Sequence, residues 1–179
     1  GKLFAMDLVG SSVAIARRKA GAVLSQYGYS AEETESLLDG WFFVGDFLLE
    51  SIPRKFRFAI GNPPYVRVES IPKVLLAEYR RKYSTMTDRA DLYVPFYERA
   101  LSLLDPYGKL SFICTDRWTK NTYGKSLRAL IDKNYSLELY IDLYGIEAFE
   151  SSVMTYPAIT QFSNSNLDRT VLLHNTSFS

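Results

Sequence analysis

Two adjacent prolines, Pro63 and Pro64, follow the apolar run at residues 56–60. They end it, because proline donates no ladder hydrogen bond and is confined to strand ends and edges. The run therefore reads as a buried strand that stops at Gly61-Asn62-Pro63-Pro64-Tyr65. The same plan recurs upstream. Residues 2–7 read as a strand ending in Asp7, and residues 41–44 as one ending in Gly45-Asp46. Between these runs lie helical segments. Ser11 is placed to cap a helix over residues 12–27, with Val13, Ile15, Ala16, Ala20, Val23 and Leu24 as its apolar stripe. Ser30-Ala-Glu-Glu reads as a capping box opening a second helix.

Downstream, residues 66–90 read as a long loop holding a short helix near 73–82, and Asp91 is placed to cap a helix running to about residue 104. A turn at 105–108, a strand at 109–114, a helix at 123–134 and a strand at 137–142 follow. Two closing strands, 158–162 and 170–174, flank a Ser/Asn turn at 163–166 and are expected to form an antiparallel hairpin at one edge. Strands alternating with helices predict an α/β, doubly wound, Rossmann-like fold with a mostly parallel sheet.

Composition limits what such a domain can do. With 21 basic and 20 acidic residues the formal charge is +1, so bulk charge gives no sign of nucleic-acid binding. One cysteine, Cys114, excludes an internal disulfide and fits a reducing cytoplasm. That cysteine and a lone histidine, His174, cannot furnish a His/Cys zinc site, so no metal is expected. No stretch of about 18 apolar residues occurs, so no transmembrane helix and no membrane partner are expected. The 13 Tyr, 11 Phe and 2 Trp are expected at core and half-buried strand positions more than in stacking roles.

Open α/β sheets bind ligands beyond the carboxyl ends of their strands. Three successive strands here end in Asp7, Asp46 and Asn62, which predicts a crevice lined with hydrogen-bonding groups. The Asn62 amide oxygen and the Pro63 carbonyl are acceptors, held in a fixed arrangement by two proline rings, and Tyr65 adds an aromatic face. The set suits a planar ligand that carries an amino group. Such an amino group is a poor nucleophile while its lone pair is delocalised into the ring. Two acceptors that draw both hydrogens out of plane free the lone pair for attack on a methyl sulfonium. Positioning and electrostatics then supply most of the rate.

Gly61-Asn62-Pro63-Pro64-Tyr65-Val66-Arg67, with Glu69, resembles the catalytic motif of adenine-specific DNA methyltransferases of the type II restriction–modification group. Phe4-Ala-Met-Asp7, with Ala14 and Ala16-Arg17, resembles that family's second motif, whose acid holds the cofactor ribose. Gly45-Asp46-Phe47-Leu48 resembles its third, and Asp91-Leu92-Tyr93 with Gly108 to Cys114 resembles the segment closing the methyl-donor pocket. Order and spacing hold from residue 2 to about residue 162. The resemblance implies an enzyme that transfers a methyl group from S-adenosylmethionine to the 6-amino group of adenine in DNA, in a bacterial defence setting. It implies catalytic Asn62, Pro63, Pro64 and Tyr65, and a cofactor site with Asp7, Asp46, Phe47 and Asn62. Tyr65 and Phe149 would contact a base flipped out of double-stranded DNA.

In that family a first, central strand and its Gly-rich loop precede the second motif, and nothing at residues 1–6 resembles them. Residues 1–179 are accordingly expected to be a partial catalytic domain without its first strand, Gly-rich cofactor loop or target-recognition domain. Those segments would come from the same or a partner chain, and the isolated fragment is expected to be inactive. Other readings stay open: a glutamine or RNA adenine methyltransferase, since release-factor glutamine methyltransferases share the tetrapeptide, or a non-catalytic scaffold or specificity partner. Arg80, Arg81 and Lys82, like Lys120, Lys125 and Arg128, are expected on solvated helix faces rather than on DNA phosphates.

Overall fold

The computed structural model describes residues 3–143, 157–165, 167 and 169–173. They fall into two compact units, Gly1–Ile52 and Pro53–Ser179.

The first unit is built from β1 (Ala5–Asp7), α1 (Gly10–Gln26), α2 (Ala31–Trp41) and β2 (Phe42–Val44). β1 and β2 pair in parallel, with Ala5 opposite Phe42 and Asp7 opposite Val44. Phe4 and Phe43 stack beside them at 4.9 Å. The capping box forms as expected: Ser30 N–H donates to Glu33 at 2.9 Å and Glu33 N–H donates to Ser30 Oγ at 3.2 Å. Ser11 does not cap α1. The helix starts earlier, with Val9 at its N-cap, and the Asp7 carboxylate takes the Val9 N–H at 2.7 Å. A carboxylate at the strand end thus satisfies the entry that a serine inside the first turn cannot reach. Of the expected apolar stripe only Val13 is buried, while Ile15 and Val23 stay about half exposed.

The second unit contains β3 (Phe56–Gly61), α3 (Lys73–Lys82), α4 (Tyr93–Ser102), β4 (Leu104–Thr115), α5 (Lys125–Asn134), β5 (Ser136–Asp142), β6 (Pro157–Ser163) and β7 (Val171–Leu173). The sheet order is β3-β4-β6-β5-β7. β3, β4, β5 and β7 run the same way and β6 runs against them. The expected edge hairpin is therefore corrected. β6 does not pair with β7 but lies inside the sheet, from Lys109–Ser163 to Thr115–Pro157 on β4 and from Ser136–Ser163 to Asp142–Ala158 on β5. Its burial explains the placement: Pro157, Ala158, Thr160, Phe162 and Ser163 are all buried, as in a strand with neighbours on both sides. The turn after β6 is tied to β4 instead, through Tyr107 N–H to Asn164 O (3.1 Å) and Asn164 N–H to Gly108 O (2.9 Å).

Two further expectations change. The turn at 105–108 is absorbed into β4, where Phe56 faces Leu104 but Phe58 faces Lys109. The surplus residues bulge out, with Tyr107 in the left-handed region at φ 64°. Asp91 does not cap α4 with its side chain; the N-cap is Leu92, and the Asp91 carboxylate accepts Val68 N–H at 3.3 Å.

The core of this unit is the face of α4 against β4 and β6. Tyr93, Tyr97, Ala100 and Leu101 recur at helical spacing and are buried, as are Leu110, Phe112 and Cys114 at strand spacing. Tyr97 is the hub: its ring meets Phe112 at 5.0 Å, Trp118 at 5.7 Å and Phe162 at 5.9 Å. Its hydroxyl pairs with Thr160 Oγ1 at 2.9 Å, so full burial leaves no polar group stranded. Tyr79, Tyr83, Tyr93, Tyr97, Phe112, Trp118 and Phe162 are buried, and most of the other described aromatics are half-buried. β3 pairs only with β4 among the described residues, and its Phe58 and Ile60 are 69% and 85% exposed. No described helix is long and apolar enough to cross a membrane.

Candidate active site

In the first unit the parallel register of β1 and β2 brings two predicted site residues to one end. Asp7 closes β1, and Asp46 lies two residues past the end of β2. The chain bends at Gly45, whose N–H donates to Asp7 O at 3.0 Å. A β-carbon at Gly45 would meet Glu50 Cγ at 2.8 Å, so the close turn fits glycine. Asp46 Oδ1 accepts Leu48 N–H at 2.8 Å and its carbonyl accepts Glu50 N–H at 2.8 Å, which fixes Phe47 within the turn. Asp7 uses only Oδ1 on Val9. Two carboxylates and a half-buried ring thus crown two adjacent strands. Such donor-seeking groups suit hydroxyls and amines, while the ring offers a flat apolar wall.

In the second unit β3 ends at Gly61, and Asn62 follows with its side chain exposed and unpaired among the described residues. Pro63 is buried and Pro64 half-buried, so the acceptors sit on a firm base. A β-carbon at Gly61 would lie 3.2 Å from the Phe112 ring, which is held against Tyr97. Glycine there lets the motif lie close to β4. Tyr65, 36% exposed, reaches the end of β4, where its hydroxyl lies near the Cys114 thiol. Burial, then the thiol beside it, raises the phenol well above its ordinary range, so the ring stays neutral. Burial pushes the Cys114 thiol up to about 12, against the hydrogen bonds from Thr115 and Tyr65 that lower it. A buried thiol raised in this way is poorly suited to act as a nucleophile. The loop after the motif is pinned to the start of α4 by Leu92 N–H to Val66 O (2.9 Å) and by the Asp91–Val68 bond.

The structure thus groups Asp7, Asp46 and Phe47 in one unit and Asn62, Pro63, Pro64 and Tyr65 in the other. Phe149 lies outside the described residues. Sequence reasoning missed the approach of Tyr65 to Cys114 and the pinning by Asp91. The available signal was the polar start of the segment before α4 and a single small residue near the end of a strand that is otherwise core. Arg81 pairs with Glu78 on an open helix face, as expected. Arg128 does not lie on such a face; it donates to Trp118 O at 2.6 Å and Asn121 O at 3.0 Å. A separate cleft between α1 and α2 holds none of the predicted residues, and its Arg17 is paired with Glu35 and Asp39. No group of three or more His, Cys, Asp or Glu able to hold a metal occurs among the described residues.

Residues 3–149 match the Eco57I restriction-modification methylase family. The chain belongs to that family. It is 52% identical over 150 residues to the type II methyltransferase M.XhoI of Xanthomonas vasicola, a match covering 84% of this chain and 28% of that relative. The chain thus spans little more than a quarter of the relative's length. A solved structure from Listeria monocytogenes, described as a class I S-adenosylmethionine-dependent methyltransferase, aligns with TM-score 0.62 at 16% identity over 80% of this chain and 46% of that one. The type ISP restriction–modification enzyme LlaGI, solved with a DNA substrate mimic, aligns with TM-score 0.65 at 16% identity over 97% of this chain and 20% of that one. The fold is the Rossmann-like methyltransferase fold.

Proposed function

We propose that this chain is part of the catalytic domain of an enzyme that methylates the 6-amino group of adenine in DNA, using S-adenosylmethionine, within a restriction–modification system. The observation that carries the reading is the exposed Asn62 side chain, unpaired among the described residues, three residues before the partly exposed Tyr65 ring. On this reading Asn62 Oδ1 and the Pro63 carbonyl accept the two amino hydrogens, and Tyr65 stacks on a base drawn out of the duplex. Asp7 and Asp46 hold the hydroxyls and adenine of the cofactor, with Phe47 packed beside them. The cofactor, when bound, supplies the electrophilic methyl group. Phe149 is a second candidate contact for the base.

We further infer that a segment outside these 179 residues, from the same or a partner polypeptide, completes the sheet beside β3 and supplies the Gly-rich loop for the methionine end of the cofactor. The exposed Phe58 and Ile60 on the open edge of β3 support this. Target recognition is assigned to a further domain, and the work to the cytoplasm, in keeping with the free thiol of Cys114.

The test is labelled methyl transfer to unmethylated DNA by the full-length protein, wild type and Asn62→Ala. Because the Asn62 side chain makes no hydrogen bond among the described residues, the substitution should leave stability within about 0.5 kcal/mol while slowing transfer by about 100-fold or more. Cofactor affinity should hardly change. Unaltered turnover, or label on a protein glutamine rather than on adenine, would overturn the reading.

A further inference from the structure

Beginning two residues beyond Tyr65, an open cleft of about 680 Å³ is lined by Arg67, Glu69, Arg89, Asp91, Arg117 and Tyr123, among others. Three guanidiniums face two carboxylates there, in a chain whose overall charge is nearly balanced. Arg89 is paired with Glu69. Arg67 and Arg117 are exposed, and neither has a carboxylate within 4.0 Å among the described residues.

The backbones that carry these two arginines are firmly held. Arg67 sits between the two ties to the start of α4, at Val66 O and Val68 N–H. Arg117 opens a tight turn directly after β4, closed by Thr119 N–H to Asp116 O (2.8 Å) and Asn121 N–H to Arg117 O (2.9 Å). Arg128 braces that turn at the Trp118 and Asn121 carbonyls. Tyr123 is fixed through its hydroxyl to that of Tyr93 at 3.1 Å. With the backbones held, only the two arginine side chains themselves have to be ordered when an anion binds. A solvated surface arginine needs no such bracing.

The ligand chemistry follows from the fork of the guanidinium and from the neighbourhood. Guanidinium pairs bind phosphate oxygens bidentately. The cleft's two unpaired arginines come from the segments that follow β3 and β4, Arg67 two residues after the ring proposed to capture a base and Arg117 two residues after the end of β4. We propose that Arg67 and Arg117 form a phosphodiester subsite that grips the DNA strand immediately beside the extruded nucleotide. The inference rests on the reading given under Proposed function and extends it to the backbone of the same substrate. Phosphate contacts set register and orientation rather than sequence, so this subsite would hold the strand while the base leaves the stack.

The experiment uses the full-length protein, with Arg67→Ala, Arg117→Ala and Arg117→Lys. DNA affinity is measured over a range of salt concentrations, alongside cofactor affinity and the split between KM for DNA and kcat. Each alanine variant should weaken DNA binding about tenfold near 0.1 M salt and make the salt slope shallower by about one. KM should rise with kcat and cofactor affinity little changed, and Arg117→Lys should keep the slope. Replacing the phosphate beside the target adenine by a neutral methylphosphonate should hurt the wild type and hardly affect the alanine variants. Salt slopes equal to wild type, or a methylphosphonate penalty identical in all proteins, would overturn the subsite while DNA methylation by the wild type stands. A wild-type protein that methylates no DNA would remove the underlying reading and the subsite with it.

Discussion

Replacing Tyr65 by phenylalanine and by alanine separates what its ring does from what its hydroxyl does. The ring is 36% exposed and so has a face to offer, while the hydroxyl lies near a Cys114 that is 1% exposed. Removing the ring should forfeit base stacking, about 1–3 kcal/mol, or about 5- to 150-fold in capture of the target base. Removing only the hydroxyl leaves the stacking face and loses at most one weak contact with the Cys114 sulfur. Partial exposure puts that loss at the low end of the usual range, about 0.5–1 kcal/mol, or about 2- to 5-fold. The loss should come from a looser ring, so it should vanish when the sulfur contact is already gone. Single-turnover methyl transfer and DNA affinity of the full-length protein, measured for Tyr65→Phe, Cys114→Ala and the double variant, form the cycle that tests this. If Tyr65→Phe is as damaging as Tyr65→Ala, the hydroxyl takes part in the chemistry and the stacking argument fails. If Tyr65→Phe costs the same with and without Cys114, the sulfur contact is not what the hydroxyl contributes.

Other consequences follow from the same contacts. Asp7→Ala should weaken S-adenosylmethionine binding and also remove the Val9 cap, so calorimetry and thermal melting should both move; a changed melt with an unaltered dissociation constant would reduce Asp7 to a cap. Gly124→Ala would place a β-carbon 1.9 Å from the Trp118 carbonyl oxygen, so the braced turn must shift, at a cost of about 3 kcal/mol visible in urea unfolding. Although burial opposes it, hydrogen bonds from Lys109, Gln161 and Ser163 hold the Glu138 carboxyl below its ordinary 4.5. Its stabilising contribution is therefore present above that value and lost as pH falls through the lowered folded pKa. Glu138→Gln should flatten the acid limb of the urea midpoint against pH, and an unchanged limb would count against the pairing.

Much of the candidate site was legible because its signals are local. Proline must end a strand wherever it falls, so the end of β3 and the rigid acceptors at Asn62 and Pro63 follow from residues next to one another. The capping box at Ser30 and Glu33 and the limits of α3 are local in the same sense. Where a local rule had two possible partners it misled: Asp91 could cap α4 or reach back to Val68, and only packing places the 66–68 segment within its range. Arg128 reads as solvated from its neighbours in sequence, yet its carbonyl partners lie seven and ten residues upstream.

By itself the sequence determined the element types, the polar residues at three strand ends and the motif that carries the proposed chemistry, because periodicity, proline and caps act over a few residues. Tertiary structure alone decided which strands are neighbours. Alternating burial makes residues 157–163 a strand without naming its partners, and β6 entered the sheet between β4 and β5 because both of its edges and its apolar face are satisfied there. The same holds for Cys114 beneath Tyr65 and for Arg67 and Arg117 around one cleft. Those side chains are about fifty residues apart, and only the parallel register of β3 and β4 carries both to the same end of the sheet.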